Sequence, residues 1–397
     1  MKKVEFDVCI IGGLGHIGLP LGISLANRGK KVMLYDINQQ AIDIVSKGKV
    51  PFMEVGAEEI LKIVIGKTLF ISSDRDVISN CHYIIIIIGT PVDEHLNPKI
   101  KVFKTLFNEI IDRIRDGQHI VLRSTIFPGT TEKIKLFLES KGKSVKLSFC
   151  PERIAEGQAM EELRSLPQII SAYDDQSFME AKELFSCLTD DLILLNPIEA
   201  ELAKLFTNAW RYIQFAISNQ FYEIASQQGL DFYRIYNAIT YKYPRAKNFP
   251  TAGFAAGPCL FKDTMQLASY HNNNFFLGHA AMLINEGLPN FIVQRLKDIY
   301  QLNNKTVGIL GMAFKADNDD KRESLSYKLK KILEIEAREV LCSDVFINEK
   351  GFISSKVLIK KSDIIILGAP HKEYKKLKYG EKVVIDIWNF YKKGGSF

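Results

Sequence analysis

The chain has 397 residues, a net charge of +6, and an ordinary globular mix of 47% hydrophobic and 25% charged residues. That length exceeds one comfortable core, so two or three domains are expected. The longest apolar run, YIIIIIG at 83–89, is too short to cross a bilayer and reads as a buried strand of a parallel sheet. The six cysteines form no C-x-x-C pair, so no zinc site or disulfide framework is suggested and no metal is expected. Cys9 and Cys81 lie in or beside apolar strands, as small core residues do. MKKVEFDVCIIGG runs from charge straight into a strand and a glycine turn with no cleavage site, so a cytoplasmic protein is expected. A mild positive excess is compatible with nucleic acid, but it also suits an anionic small molecule. That is the expected partner, rather than nucleic acid or a membrane.

In chain order, the first half alternates apolar runs with helical patterns. VEFDVCIIGG is a strand, GLPLGISLANRG a helix stopped by Gly29, and KVMLYDI, NCHYIIIIIGTPV and QHIVLRSTIFPG are further strands. This alternation predicts a doubly wound parallel sheet. From Asn196 and Pro197 to Gly229, apolar residues recur at helical spacing, which predicts one long helix between domains or at a subunit interface. Near residue 304 strands return as NKTVGILGMAF, REVLCSDVF, SDIIILGAP and EKVVIDIW, a second and smaller α/β unit. Each α/β unit sets a glycine turn after an apolar strand and later ends a strand in aspartate, Asp36 and Asp344.

Gly13-Leu14-Gly15-His16-Ile17-Gly18 follows the first strand and opens the first helix, and Asp36 ends the second strand about twenty residues on. In that context the glycines let a pyrophosphate approach the backbone, and the helix N-terminus favours its charge. A carboxylate at Asp36 would accept from the ribose hydroxyls and repel a 2′-phosphate, so NAD is favoured over NADP. The alternative is a glycine turn that only permits tight packing.

The segment AGFAAGPCLFKDTMQLA, 252–268, sets Cys259, Lys262 and Asp263 together on a Gly-rich turn. If a helix begins near Pro258, its dipole and Lys262 would both lower the thiol pKa. An inert buried cysteine is the competing reading. Lys204 and Asn208 share one face of the long helix, either as site residues or as a solvated stripe. Glu152, Arg153 and Glu156 in CPERIAEG follow a strand end, where a parallel sheet borders its ligand crevice; a charged surface loop is the alternative. Thr125 in RSTIFPGTT ends another strand and is a turn residue by default. NAD with a reactive thiol would carry an alcohol past the aldehyde, because thiolate addition rebuilds a carbon bearing hydride and water then releases the acid. A two-electron hydroxyacid-type dehydrogenase and a non-catalytic ligand sensor or assembly subunit are the rivals.

Together GGLGHIGLP, IGTPVDEHLNP, STIFPGTT, CPERIAEG, AKLFTNAWR, GPCLFKD and GMAFKADNDDKRES, in that order, closely resemble the UDP-glucose/GDP-mannose dehydrogenase family. The resemblance implies an NAD-binding Rossmann domain over 1–195, a central helical dimerisation region carrying the cysteine over 196–300, and a Rossmann-like UDP-sugar-binding domain over 301–397. It implies a homodimer through the central helix, and oxidation of a sugar C6 alcohol to the carboxylate with two NAD. Cys259 resembles the nucleophile. Lys204 would stabilise the oxyanion with Asn208 as a further donor. Asp263 would hold or activate water with Thr125 and Glu152. The NAD contacts implied are Gly13, Gly15, His16, Ile17, Gly18, Asp36, Thr90, Thr125, Glu156, Lys262 and Arg322. Those for the sugar nucleotide are Glu152, Arg153, Lys204, Asn208, Gly257, Lys315 and, reaching into a partner subunit, Arg245. The chain departs from the family at Ala255-Ala256-Gly257-Pro258 before the thiol, at His16 in place of a frequent tyrosine, and in its short C-terminal domain. CPERIAEG and KYPR resemble the branch acting on UDP-N-acetylhexosamines, whereas FKD after the cysteine is like the UDP-glucose branch. The N-acetylhexosamine is the first expectation, then UDP-glucose, then GDP-mannose.

Overall fold

The structure is a computed structural model that describes residues 5–93, 99 and 101–394. Residues 94–98 of IGTPVDEHLNP lie outside the described residues. The chain divides into two compact units, 1–207 and 208–397.

Among the described residues the first unit carries eight strands: β1 (Phe6–Ile11), β2 (Val32–Tyr35), β3 (Leu69–Ser72), β4 (Cys81–Ile86), β5 (His119–Leu122), β6 (Lys146–Phe149), β7 (Gln168–Ala172) and β8 (Leu192–Leu195). They lie in the order β3-β2-β1-β4-β5-β6-β7-β8. The order reverses after β1, between β1 and β4, which opens a crevice at the carboxyl ends of the strands. Alternation along each strand builds two cores. Val8 and Ile10 of β1 and Tyr83 and Ile85 of β4 face one layer. Cys9, Ile11, Ile84 and Ile86 face the other, where Cys9 and Cys81 are buried as small apolar residues.

One strand pair departs from the predicted parallel sheet: β6 and β7 run antiparallel. The link from Cys150 to Pro167 holds only the short helix Ala159–Ser165 and makes no crossover. The chain therefore turns back where β6 ends, and CPERIAEG stays at the carboxyl edge beside the crevice. Strands β3, β7 and β8 were not read from the sequence. LFIS is short, and β8 is an edge strand whose Ile193 and Leu194 stay partly exposed.

The long helix forms as one element, Pro197–Gln227. Its N-terminal turn is pinned by Glu201, a buried carboxylate that accepts from Gly129 N (2.5 Å), Thr131 N (2.8 Å) and Thr131 Oγ1 (2.5 Å). It thereby serves the start of the neighbouring helix Thr130–Ser140, whose own N-cap, Gly129, has no side chain to offer. Burial pushes the Glu201 carboxyl up against these compensating hydrogen bonds.

The second unit holds four parallel strands, β9 (Thr306–Leu310), β10 (Glu339–Ser343), β11 (Ile364–Leu367) and β12 (Val383–Ile385), in the order β10-β9-β11-β12. Leu288, Ile292 and Leu296 of the helix Phe276–Ile299 join Val307, Ile309 and Ile366 in one core. The likeness between Asp36 and Asp344 ends at the architecture. Asp344 and His371 both have side chains without solvent access, 3.1 Å apart. Asp344 also accepts from Met312 N (2.6 Å) and Ala313 N (3.1 Å). A Cβ on Gly311 would strike Ala369 O at 2.4 Å, so this second glycine turn is closed by the protein itself.

His119 opens β5 with no solvent exposure, hydrogen-bonded through Nε2 to Ser148 Oγ at 2.9 Å. Burial pulls it down to about 4, against the pull of Glu180. Its folded value lies below its unfolded one, so the neutral ring's contribution is complete above about pH 6.5 and is lost as pH falls toward 4. Relative to His119→Gln, the wild-type chain should lose about 3 kcal/mol of stability across that window, measured by denaturant unfolding at stepped pH. Parallel curves for the two proteins would refute this.

Candidate functional site

In the first unit the nucleotide turn joins β1 to the helix Gly18–Asn27. Three of its glycines are required by packing, Gly12 because it has φ +76° and a Cβ there would lie 1.9 Å from Ile87 O. A Cβ on Gly13 would sit 2.8 Å from Ile10 O and 2.9 Å from Leu34 Cβ, and one on Gly18 would sit 2.4 Å from Gly12 O. Gly15 differs, because a Cβ there would meet nothing closer than Gly12 O at 3.7 Å. The fold therefore leaves open surface above Gly15, where a pyrophosphate needs close backbone approach. Ile17 caps the helix without a side-chain hydrogen bond, and no acidic residue stands in the first turn to compete with an anion. Asp36 is partly exposed at the end of β2, with Oδ2 on Leu14 N (2.9 Å) and Oδ1 on Asn38 N (3.0 Å). Each oxygen keeps a lone pair for a ribose hydroxyl. These features fit NAD. His16 stacks on Phe52 with ring centroids 4.1 Å apart, and its Nδ1 stands 4.0 Å from Glu156.

The same edge is fastened by residues the sequence reading passed over. Ser124 accepts Ile88 N at 2.7 Å and so ties the segment leading to Thr90 to the end of β5, next to Thr125. Arg123 lies fully buried at that end. It donates to Cys150 O (3.0 Å), to Gln168 Oε1 (2.9 Å) and to Glu152, and its guanidinium stacks 4.9 Å from the Phe185 ring. The other Glu152 oxygen takes Arg153 N (2.7 Å) and Ile154 N (3.0 Å). Arg153 turns its guanidinium to Pro167 O. The clamp therefore shapes the 150–157 loop, and Glu152 and Arg153 serve it first. The signal was an arginine inside an apolar strand end, which only a buried acidic partner explains.

In the second unit the turn 252–258 is fastened to the long helix. Asn219 accepts from Gly253 N (2.9 Å) and donates to Gly253 O (3.0 Å), while Ser218 donates to Pro250 O (2.7 Å). Asn219 also reaches Asn285 at 2.9 Å, which in turn donates to Tyr212 O at 2.9 Å. Glycine is required twice. A Cβ on Gly253 would enter the Trp388 ring at 2.2 Å, and Gly257 has φ +104° with Phe314 2.6 Å from its would-be Cβ. Lys315 stands over that same Phe314 ring at 5.5 Å, which brings it to the Gly257 side of the turn. A cavity of about 380 Å³ opens there, lined in part by Ala256, Gly257, Phe261, Glu286 and Lys328.

Cys259 is exposed and caps the N-terminus of the helix Leu260–Tyr270. Behind it, Asp263 has no solvent exposure. Its Oδ2 accepts from Asn208 Nδ2 and its Oδ1 from Lys262 Nζ, both at 2.5 Å. The lysine expected to polarise the thiol therefore has its charge engaged by Asp263. Lys204 stands one turn before Asn208 on the long helix and belongs to the first unit. Arg322 is held by Asp320 (Nε to Oδ2 2.8 Å), and Arg245 is exposed, with Nε on Tyr243 Oη at 2.7 Å.

Removing one partner of the Arg123–Glu152 pair leaves a buried uncompensated charge. Glu152→Gln should cost roughly 3–5 kcal/mol in chemical denaturation. A stability within 1 kcal/mol of wild type would show that the clamp is dispensable (about fivefold in the folding equilibrium).

Comparison with known proteins then places the chain. The NAD binding domain of the UDP-glucose/GDP-mannose dehydrogenase family matches residues 6–189, its central domain 198–286 and its UDP binding domain 308–393. A UDP-N-acetyl-D-mannosamine dehydrogenase of Methanocaldococcus jannaschii is 30% identical over 98% of this chain and 95% of its own length. The structure of a UDP-D-ManNAc dehydrogenase from Pyrococcus horikoshii superposes with TM-score 0.86 at 27% identity, covering 94% of this chain and 91% of that one. A UDP-glucose dehydrogenase from Pyrobaculum islandicum shares the fold, with TM-score 0.87 at 23% identity over 96% of this chain and 94% of that one. The chain belongs to the UDP-glucose/GDP-mannose dehydrogenase family, NAD-dependent oxidoreductases of nucleotide sugars.

Proposed function

We propose that the chain oxidises the C6 alcohol of a UDP-N-acetylhexosamine to the uronate through a covalent intermediate on Cys259. The observation that carries this reading is an exposed thiol at a helix N-terminus, backed by the buried Asn208–Asp263–Lys262 network. NAD, when bound, supplies the hydride acceptor for each of the two oxidations. Gly13, Gly15, His16, Ile17, Gly18 and Asp36 would hold it, with Thr90, Thr125, Glu156, Lys262 and Arg322 as further contacts. Cys259 adds to the aldehyde carbon as thiolate, and oxidation of the adduct leaves a thioester. Lys204 and Asn208 stabilise the oxyanion, and Asp263, Thr125 and Glu152 serve the water that releases the acid. Glu152, Arg153, Gly257 and Lys315 would contact the sugar nucleotide, Glu152 and Arg153 by way of the 150–157 loop they hold. The N-acetylhexosamine is favoured by the relatives from M. jannaschii and P. horikoshii. The domain limits in this reading are 1–195, 196–300 and 301–397. The setting is the cytoplasm, whose reducing poise keeps such a thiol available.

Purified protein with NAD should form two NADH per sugar from UDP-N-acetylmannosamine, ahead of UDP-glucose and GDP-mannose, with the uronate identified by mass. Cys259→Ser should abolish acid formation while sparing nucleotide-sugar binding. No NADH from any sugar nucleotide would sink the reading.

The reading includes a homodimer. Phe206, Trp210, Ile217, Phe221 and Ile224 fall on one stripe of the long helix and are 39–59% exposed. A continuous apolar stripe of this length is the expected mark of an interface. Arg245 would reach the partner's substrate. Trp210→Lys should convert a dimer to a monomer in sedimentation at micromolar concentration. A wild-type monomer there would refute the assembly.

A further inference from the structure

One buried side chain on the helix that the thiol caps is unexplained by the fold. Gln266 lies on the helix Leu260–Tyr270 and is 1% exposed, yet neither its Nε2 nor its Oε1 has a hydrogen-bond partner among the described residues. Buried amides are almost always satisfied, so an orphan at both ends points to a partner that is not protein. Helical spacing puts Cys259, Asp263 and Gln266 on one face, and side chains lean toward the helix N-terminus, so Gln266 leans toward Asp263. Asp263 has one protein donor on each oxygen, and a carboxylate has about four acceptor positions in all. Two acceptor positions on Asp263 and both ends of an orphan amide make a polar cage of the kind that holds a buried water.

We propose that Gln266 is a positioning residue that holds a water against Asp263, and that this water serves the hydrolytic half of the reaction. The inference rests on the thioester at Cys259. In the step, the water oxygen bonds to the thioester carbon and the carbon–sulfur bond breaks, with sulfur keeping the electron pair. One water proton passes to the Asp263 carboxylate, and the second is lost as the product acid ionises. No electrons leave or enter. Glutamine supplies both a donor and an acceptor, so it orients the water's lone pair as well as its hydrogens. An apolar residue of the same shape would leave both oxidations intact and starve only the release.

The test compares wild type, Gln266→Met and Gln266→Leu by rapid-quench kinetics with NAD and the sugar nucleotide that wild type turns over. Both variants put an apolar side chain of similar size where the amide has no protein partner, so folding is expected to survive. The expected result is a burst of two NADH per subunit at the wild-type rate, then a steady state at least tenfold slower, with KM lowered in step so that kcat/KM is unchanged. Intact mass should show the acyl adduct accumulating on Cys259, and hydroxylamine should release it as the hydroxamate. Wild-type turnover without adduct in both variants would overturn the proposal. So would loss of the burst and the steady state together, which marks a packing role. The underlying reading fails separately, if wild type itself yields no hydroxamate and Cys259→Ser still forms acid.

Discussion

A carboxylate shielded from bulk solvent organises the second unit's chemistry. Asp263 is buried completely, and an ionised carboxylate in that position is tolerated only with donors on its oxygens. Asn208 and Lys262 provide them, one from the long helix and one from Asp263's own helix. The helix Leu260–Tyr270 is thereby locked to the long helix at a fixed height, and Cys259 at its cap inherits that position. Asn219 makes the complementary attachment on the other side, gripping both backbone groups of Gly253. The thiol sits on a turn that looks loose in sequence and is held at both ends.

The two glycine turns of the chain show how one architecture is used in two ways. At Gly15 the packing leaves room, and Asp36 stays partly open at the strand end. At Gly311 the turn is filled by Ala369, and Asp344 is consumed by His371 and backbone amides. A strand, a glycine turn and a terminal aspartate are therefore insufficient to mark a dinucleotide site. What distinguishes the two is whether the aspartate's lone pairs are already taken.

Strands β1, β2, β4 and β5, the long helix and the nucleotide turn were legible because each rests on a local pattern: apolar runs bounded by turns, helical apolar spacing and glycines at fixed offsets. The antiparallel turn into β7 was not, because nothing in CPERIAEG or the helix after it sets strand direction. Cys259 and Asp263 were legible as a reactive pair, but the burial of Asp263 and its hold on Asn208 depend on residues 55 apart in sequence. Arg123, Ser124, Glu201 and Asn219 were missed for the same reason. Each is a polar residue in an apolar stretch whose partner lies on another element, so no spacing rule could have found it.

The only two tryptophans stand at informative places. Trp388 packs edge-on to Phe254 and closes over Gly253, with its indole N–H on Leu367 O at 3.0 Å. Trp210 looks out from the long helix, 59% exposed. Intrinsic fluorescence thus carries two separable reporters: a half-buried emitter seated on the turn that presents the thiol, and one on the helix stripe that is red-shifted in a monomer and shifts to the blue when a partner covers it. Iodide would quench the second in the monomer and spare it in the dimer, while the first reports on whatever moves that turn.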